Sequence, residues 1–148
     1  CANTFGGVAH RLEFVRELSG VRYFNSSIDS SPNRTIHALS VFSEPVVLIA
    51  GGKDKGIPYD DLGPAVREHA KALVLIGATA KTIAEVAQKA APQVPVYFAE
   101  NYESAVLQAK NLAEPGDVVL LSNASTSFDM FKNFEERGNL FKDLVNRL

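Results

Sequence analysis

Four short apolar runs, at residues 46–50, 72–76, 96–99 and 118–121, constrain this chain more than any other feature of its sequence. Runs of four or five residues with several β-branched members suit strands buried on both faces, as in a parallel sheet lying under helices. Their starts are 26, 24 and 22 residues apart (46, 72, 96, 118). That spacing is long enough for a helical crossover between successive parallel strands.

The segments between the runs have helical periodicity. Leu62, Ala65, Val66, His69 and Ala70 follow an i, i+3, i+4 pattern, and Thr79 is placed to cap a helix whose inner face is Ile83, Val86, Ala87 and Ala90. Asn101 is placed to cap another, burying Ala105, Val106, Ala109 and Leu112, and Phe141, Leu144, Val145 and Leu148 form a last apolar stripe. The front of the chain differs. Residues 12–18 and 21–25 are strand-like and joined by Ser19-Gly20, a hairpin signal. Ser31-Pro32 then opens a helix carrying Ile36 and Leu39. The expected fold is α/β, a three-layer Rossmann-like domain whose mostly parallel sheet carries an N-terminal β-hairpin.

Composition narrows the function classes. A chain of 148 residues, 46% hydrophobic and 22% charged, is one globular domain and not a disordered segment. Fifteen basic against 17 acidic residues give a formal charge of -2, which offers no electrostatic footprint for nucleic acid or an anionic membrane. The single cysteine, Cys1, cannot form an internal disulfide, and a cytoplasmic protein is the expectation. No apolar run reaches the roughly 18–20 residues that span a bilayer. The first residues lack the basic start and apolar stretch of a signal peptide, and there is no initiator Met. The chain therefore reads as part of a longer protein.

In open parallel sheets ligands gather beyond the carboxyl ends of the strands. Three polar loops fall there: Asn25-Ser26-Ser27-Ile28-Asp29-Ser30, Gly51-Gly52-Lys53-Asp54-Lys55-Gly56, and Ser122-Asn123-Ala124-Ser125-Thr126-Ser127. Loops rich in Ser, Gly and Lys suit an anionic ligand. The glycine loop matches neither GxxxxGK[ST] nor GxGxxG, so a phosphate cradle and a tight turn with solvated lysines both stay open. His10, His37 and His69 are scattered without metal-type spacing, and no metal site is expected. His37 and His69 lie in amphipathic helices and read as structural or surface residues. Ser127 lacks the GxSxG elbow of a hydrolase nucleophile. Phe131 reads as core, while Phe134, in a polar stretch, suits the wall of a ligand pocket. The residues alone specify a small anion-binding α/β domain without a complete active site.

Those loops also carry a resemblance. The stretch LLSNASTSFDMFKNFEERG at 120–138 closely resembles the Mur ligases, as do His10-Arg11-Leu12-Glu13, Asn25-Ser26-Ser27, Gly51-Gly52-Lys53-Asp54-Lys55 and the terminal helix, in order. The likeness runs from Phe5 to Leu148. It implies the third, C-terminal domain of an enzyme of peptidoglycan precursor synthesis that uses ATP and Mg²⁺ to join D-glutamate to UDP-N-acetylmuramoyl-L-alanine through an acyl phosphate. It further implies that Lys55 pairs with a D-glutamate carboxylate, with Ser30, Ser127, Phe134 and the Phe128 backbone holding the rest of that ligand. Arg11, His10, Asn25 and Ser26 would face the nucleotide. The domains that bind the uridine nucleotide, ATP and Mg²⁺ lie outside this chain, which is expected to carry no catalytic residue, to be inactive alone and to belong to a monomeric enzyme.

Departures from the family pattern are Ser26 in place of a common Asp, Asp29 near the expected dicarboxylate site, and Asn123 and Ala9 in place of Pro. Ser26 and Asp29 leave room for a non-catalytic binding or regulatory module of the same fold. A relative adding lysine or diaminopimelate is disfavoured because its Asp-Asn-Pro-Arg motif is missing; Pro32-Asn33-Arg34 reads as a helix start. A nicotinamide-binding Rossmann domain lacks its glycine fingerprint.

Overall fold

A computed structural model describes residues 13–27, 31–52, 59–77, 79–124 and 134–148. Its described elements run β1 (Glu13–Leu18), β2 (Val21–Asn25), α1 (Pro32–Ser40), β3 (Val46–Ala50), α2 (Leu62–His69), β4 (Ala70–Leu75), α3 (Ala80–Ala90), β5 (Val96–Phe98), α4 (Tyr102–Leu112), β6 (Val118–Leu121) and α5 (Phe134–Asn146). The strands form one sheet in the order β1-β2-β6-β3-β4-β5. Only the β1–β2 pair is antiparallel among them.

The hairpin follows from its turn. Ser19 and Gly20 have φ of 54° and 82°, the pair of positive values that a two-residue turn needs to match the twist of its strands. Leu18 faces Val21 and Glu13 faces Asn25, with a bulge between Phe14 and Arg16. The hairpin carries an aromatic ladder that reaches into the core under α1, α2 and α3: Phe14 meets Phe24 edge-on at 5.5 Å, and Phe24 meets Phe42 at 4.9 Å.

Alternation within the apolar runs builds two cores. Val46, Leu48, Ala50, Leu73, Leu75, Val118 and Leu120 pack under α1, α2 and α3, through Leu39, Leu62, Val66, Ile83 and Ala87. Val47, Ile49, Val74, Ile76, Val119 and Leu121 point the other way, against Tyr102, Ala105 and Val106 of α4 and Phe141, Leu144 and Val145 of α5. Every residue of β3 and β6 is buried. At about 1.5–3 kcal/mol for each fully buried Val, Leu or Ile, these central strands supply much of the folding drive. The result is the expected three-layer fold.

The differences from the sequence reading are local. Ala70 ends α2 and starts β4: its backbone is extended (φ -90°, ψ 135°) while its N–H still donates to the Val66 carbonyl, so helix and strand meet without a loop. The run at 72–76 therefore starts two residues earlier as a strand. The run at 96–99 forms only β5, at the margin of the sheet, where Tyr97 and Phe98 are exposed. Gln108 of α4 donates its Nε2–H to the Phe98 carbonyl at 3.2 Å. Asn101 caps α4 as expected, its Oδ1 accepting from the Ser104 N–H at 2.8 Å. Ser31 and Thr79 occupy the N-cap positions of α1 and α3 but make no side-chain cap bond. His37 is exposed, and His69 is half-buried, 3.7 Å from Glu68.

Candidate functional site

The carboxyl ends of β2, β6 and β3 lie side by side, about 4.8 Å apart per strand. The chain leaves β3 towards α2 on one face of the sheet and leaves β6 towards α5 on the other. Neighbouring strands whose connections part in this way create a crevice at their carboxyl ends, the usual ligand position in open α/β sheets.

The rim is built from fully buried polar residues: Asn25, Ser26, Ser27, Thr35, Thr79, Ser122, Asn123 and Arg137 are each at most 1% exposed. Such groups are almost always hydrogen-bonded, since an orphaned buried polar atom costs about 1–3 kcal/mol. Their bonds tie the chain just past the strand ends to neighbouring strands, helices and loops. The Ser26 N–H donates to the Leu121 carbonyl at 2.8 Å and the Ser122 N–H to Ile49 at 3.1 Å, extending both ladders past the strand ends. Asn25 turns the chain by accepting from the Ser27 N–H at 3.1 Å, while its Nδ2 donates to Glu13 Oε1 at 3.2 Å. Ser122 Oγ donates to Thr35 Oγ1 at 2.9 Å, pinning the start of α1 to the end of β6.

The glycine loop leaves β3 under tighter control. Gly51 has φ +116°, and a Cβ there would lie 1.9 Å from the Ile76 carbonyl oxygen, so no other residue fits. Its N–H donates to the Asn123 carbonyl at 2.8 Å, and its own carbonyl accepts from Asn123 Nδ2 at 3.0 Å. Asn123 Nδ2 also reaches Tyr102 Oη at 2.7 Å, and Asn123 Oδ1 is left without a partner. Next along, the Gly52 N–H donates to Thr79 Oγ1 at 3.0 Å and the Thr79 N–H returns a bond to the Gly52 carbonyl at 3.0 Å. The Thr79 hydroxyl thus serves the Gly52 backbone, while its own backbone (φ -87°, ψ -2°) lacks the extended conformation from which a side chain caps a helix.

Arg137, in the first turns of α5, donates from Nε to Ser27 Oγ at 3.1 Å and from Nη2 to the Ser27 carbonyl at 2.7 Å. It lies four residues before Phe141, on the apolar stripe of that helix. A charge on an apolar stripe is the sequence signal that could have marked it. Thr79, Asn123 and Tyr102 carried no such mark as rim ties.

Of the residues expected to bind ligand, the structure brings Asn25 and Ser26 to this rim. Phe134 is the first residue of α5. His10, Arg11, Ser30, Lys55, Ser127 and Phe128 lie outside the described residues. Among the described residues no three His, Cys, Asp or Glu side chains are grouped to hold a metal ion, and no helix is long and apolar enough to cross a membrane.

Comparison with known proteins agrees with this architecture. The family described as "Mur ligase, glutamate ligase domain" matches residues 10–124. A UDP-N-acetylmuramoylalanine–D-glutamate ligase of Ruminiclostridium cellulolyticum is 55% identical over 99% of this chain, which spans 33% of that relative's length. Among solved structures, a UDP-N-acetylmuramate-alanine ligase of Thermotoga maritima superposes with a TM-score of 0.64 at 16% identity, over 97% of this chain and 31% of that one. The MurF ligase of the same organism, solved in complex with ADP, gives 0.60 at 19% identity over 95% and 32%. The chain spans about a third of the length of the curated relatives it matches, and with most of its residues matched by the family it belongs to the Mur ligases through their glutamate ligase domain.

Proposed function

We propose that this chain is the third, C-terminal domain of a cytoplasmic, monomeric ligase that joins D-glutamate to UDP-N-acetylmuramoyl-L-alanine, and that it supplies the amino-acid pocket. The observation that carries the reading is the 55% identity to a D-glutamate ligase across nearly the whole chain, joined to a rim whose loops leave the sheet side by side at a strand crevice.

ATP, bound with Mg²⁺ mainly by a preceding domain, supplies the phosphoryl group that activates the acceptor carboxylate as an acyl phosphate. The task of this chain is then to bind a dianionic amino acid and aim its amine. The Lys55 ammonium pairs with one D-glutamate carboxylate, a charge-assisted contact of the kind that carries specificity for anions. Ser30 and Ser127 offer hydroxyls to the remaining oxygens, the Phe128 backbone assists, and the Phe134 ring walls the pocket. Arg11 and His10 meet the nucleotide. Asn25 and Ser26 act on that side from beneath, because both are buried and the Asn25 carboxamide is engaged at both ends.

The test is turnover by the full-length polypeptide that contains this chain, supplied with ATP, Mg²⁺, UDP-N-acetylmuramoyl-L-alanine and D-glutamate. D-Glutamate-dependent phosphate release is expected, with Lys55→Ala raising the KM for D-glutamate by about 10- to 100-fold, the weight of a hydrogen bond to a charged group. The 148-residue chain alone should give no amide product. Absence of D-glutamate-dependent turnover in the full-length protein would overturn the reading.

A further inference from the structure

Two consecutive glycines carry the chain out of β3, three residues before Lys55 in sequence, and each is gripped at two points. Gly51 exchanges a pair of hydrogen bonds with Asn123, backbone N–H to backbone carbonyl at 2.8 Å and backbone carbonyl to Nδ2 at 3.0 Å. Gly52 exchanges another pair with Thr79, one through Oγ1 and one through the backbone N–H, both at 3.0 Å. The grips come from opposite neighbours, the end of β6 and the start of α3. Both side chains are fully buried. Glycine has the widest backbone freedom of any residue, so a Gly-Gly exit left unheld would point the following residues in many directions.

We propose that Thr79 and Asn123 are positioning residues for the amino-acid site, fixing the backbone of Gly51 and Gly52 from which the chain continues to Lys55, three residues further on, and thereby setting affinity for D-glutamate. The inference rests on the reading of Lys55 given above. Neither side chain contacts the substrate; each acts through the loop backbone. The site that senses them is the one for the amino acid, so their removal affects D-glutamate more than ATP.

The experiment uses the full-length polypeptide. Thr79→Val keeps the volume and removes the acceptor; Thr79→Ser keeps the acceptor; Asn123→Ala removes the carboxamide. The valine and alanine variants should raise the KM for D-glutamate by about 5- to 10-fold, the scale of one lost hydrogen bond, with the KM for ATP within about twofold of wild type. Thr79→Ser should restore the wild-type value, and hydrogen exchange at the Gly52 amide should quicken in Thr79→Val alone of the Thr79 pair. Should the valine variant fail to fold, Asn123→Ala decides by the same ratio of KM values. Folded variants with an unchanged KM for D-glutamate, or with both KM values raised together, would overturn the proposal. A wild-type protein without D-glutamate-dependent turnover would instead remove the functional reading on which it rests.

Discussion

Arg137, fully buried in α5, holds Ser27 by two bonds at once, Nη2 to the carbonyl at 2.7 Å and Nε to Oγ at 3.1 Å. The guanidinium thus ties a helix on one face of the sheet to the loop that leaves β2. A buried cation persists only when its donors are satisfied, and here neutral oxygens of Ser27 do part of that work.

Replacing Arg137 with Met keeps much of the volume but removes both bonds to Ser27. A loss of about 2–4 kcal/mol is expected in urea unfolding, in the range for breaking a buried charged contact. Arg137→Lys should recover only part of it, because an ammonium cannot present two parallel N–H groups. A change below about 0.5 kcal/mol in the Met variant would refute this account.

Gly51→Ala places a methyl group 1.9 Å from the Ile76 carbonyl oxygen at a φ of +116°. Backbone strain of this kind costs about 1–3 kcal/mol before the clash is counted. The variant should melt well below wild type or accumulate as insoluble protein; a melting temperature equal to wild type would exclude the geometry described.

Asn101→Ala should cost about 1 kcal/mol, the ordinary value for a lost N-cap, since Asn101 Oδ1 accepts from the Ser104 N–H. Asn101→Asp should keep most of the stability, and the cap is contradicted if chemical denaturation ranks the aspartate variant with alanine.

Alkaline stability depends on two groups that hold their protons more tightly when folded. The Lys71 ammonium is raised above 10.5, chiefly by its hydrogen bond to Asp117 at 2.6 Å and also by Glu114, against an opposing effect of burial. The Tyr23 hydroxyl is raised above 10.0 by burial, with Arg16 pulling the other way. In both cases the folded state binds more protons than the unfolded chain above about pH 10, so stability is level below that point and falls as pH rises through the folded values. Lys71→Met and Tyr23→Phe should each flatten the decline seen in unfolding curves taken from pH 9 to 12; a slope unchanged in both variants would contradict it.

The architecture was legible because its signals are local and repetitive. Val47 and Leu48 sit in different cores, yet the unbroken apolar run 46–50 already implied burial on both faces. Ser19-Gly20 announced its turn, and Asn101 its cap. At 96–99 the same signal was weaker because β5 has a neighbour on one side only. The rim was less legible because its bonds join residues far apart in sequence, Gly52 to Thr79 over 27 positions, Ser122 to Thr35 over 87, Arg137 to Ser27 over 110. Thr79 has the right identity and place for a helix cap, and the sequence does not show that its backbone turns helical there and its hydroxyl meets the Gly52 N–H. Asn123 stood out as a departure from the family pattern, without any hint that Gly51 and Tyr102 were its partners.

Gln108 gives the open margin of the sheet a selvedge. With the Phe98 carbonyl already taken by α4 and the strand only three residues long, a visiting polypeptide finds almost no template to zip onto. The domain can therefore display Tyr97 and Phe98 to water, even in a crowded cell, without inviting runaway strand exchange along that side.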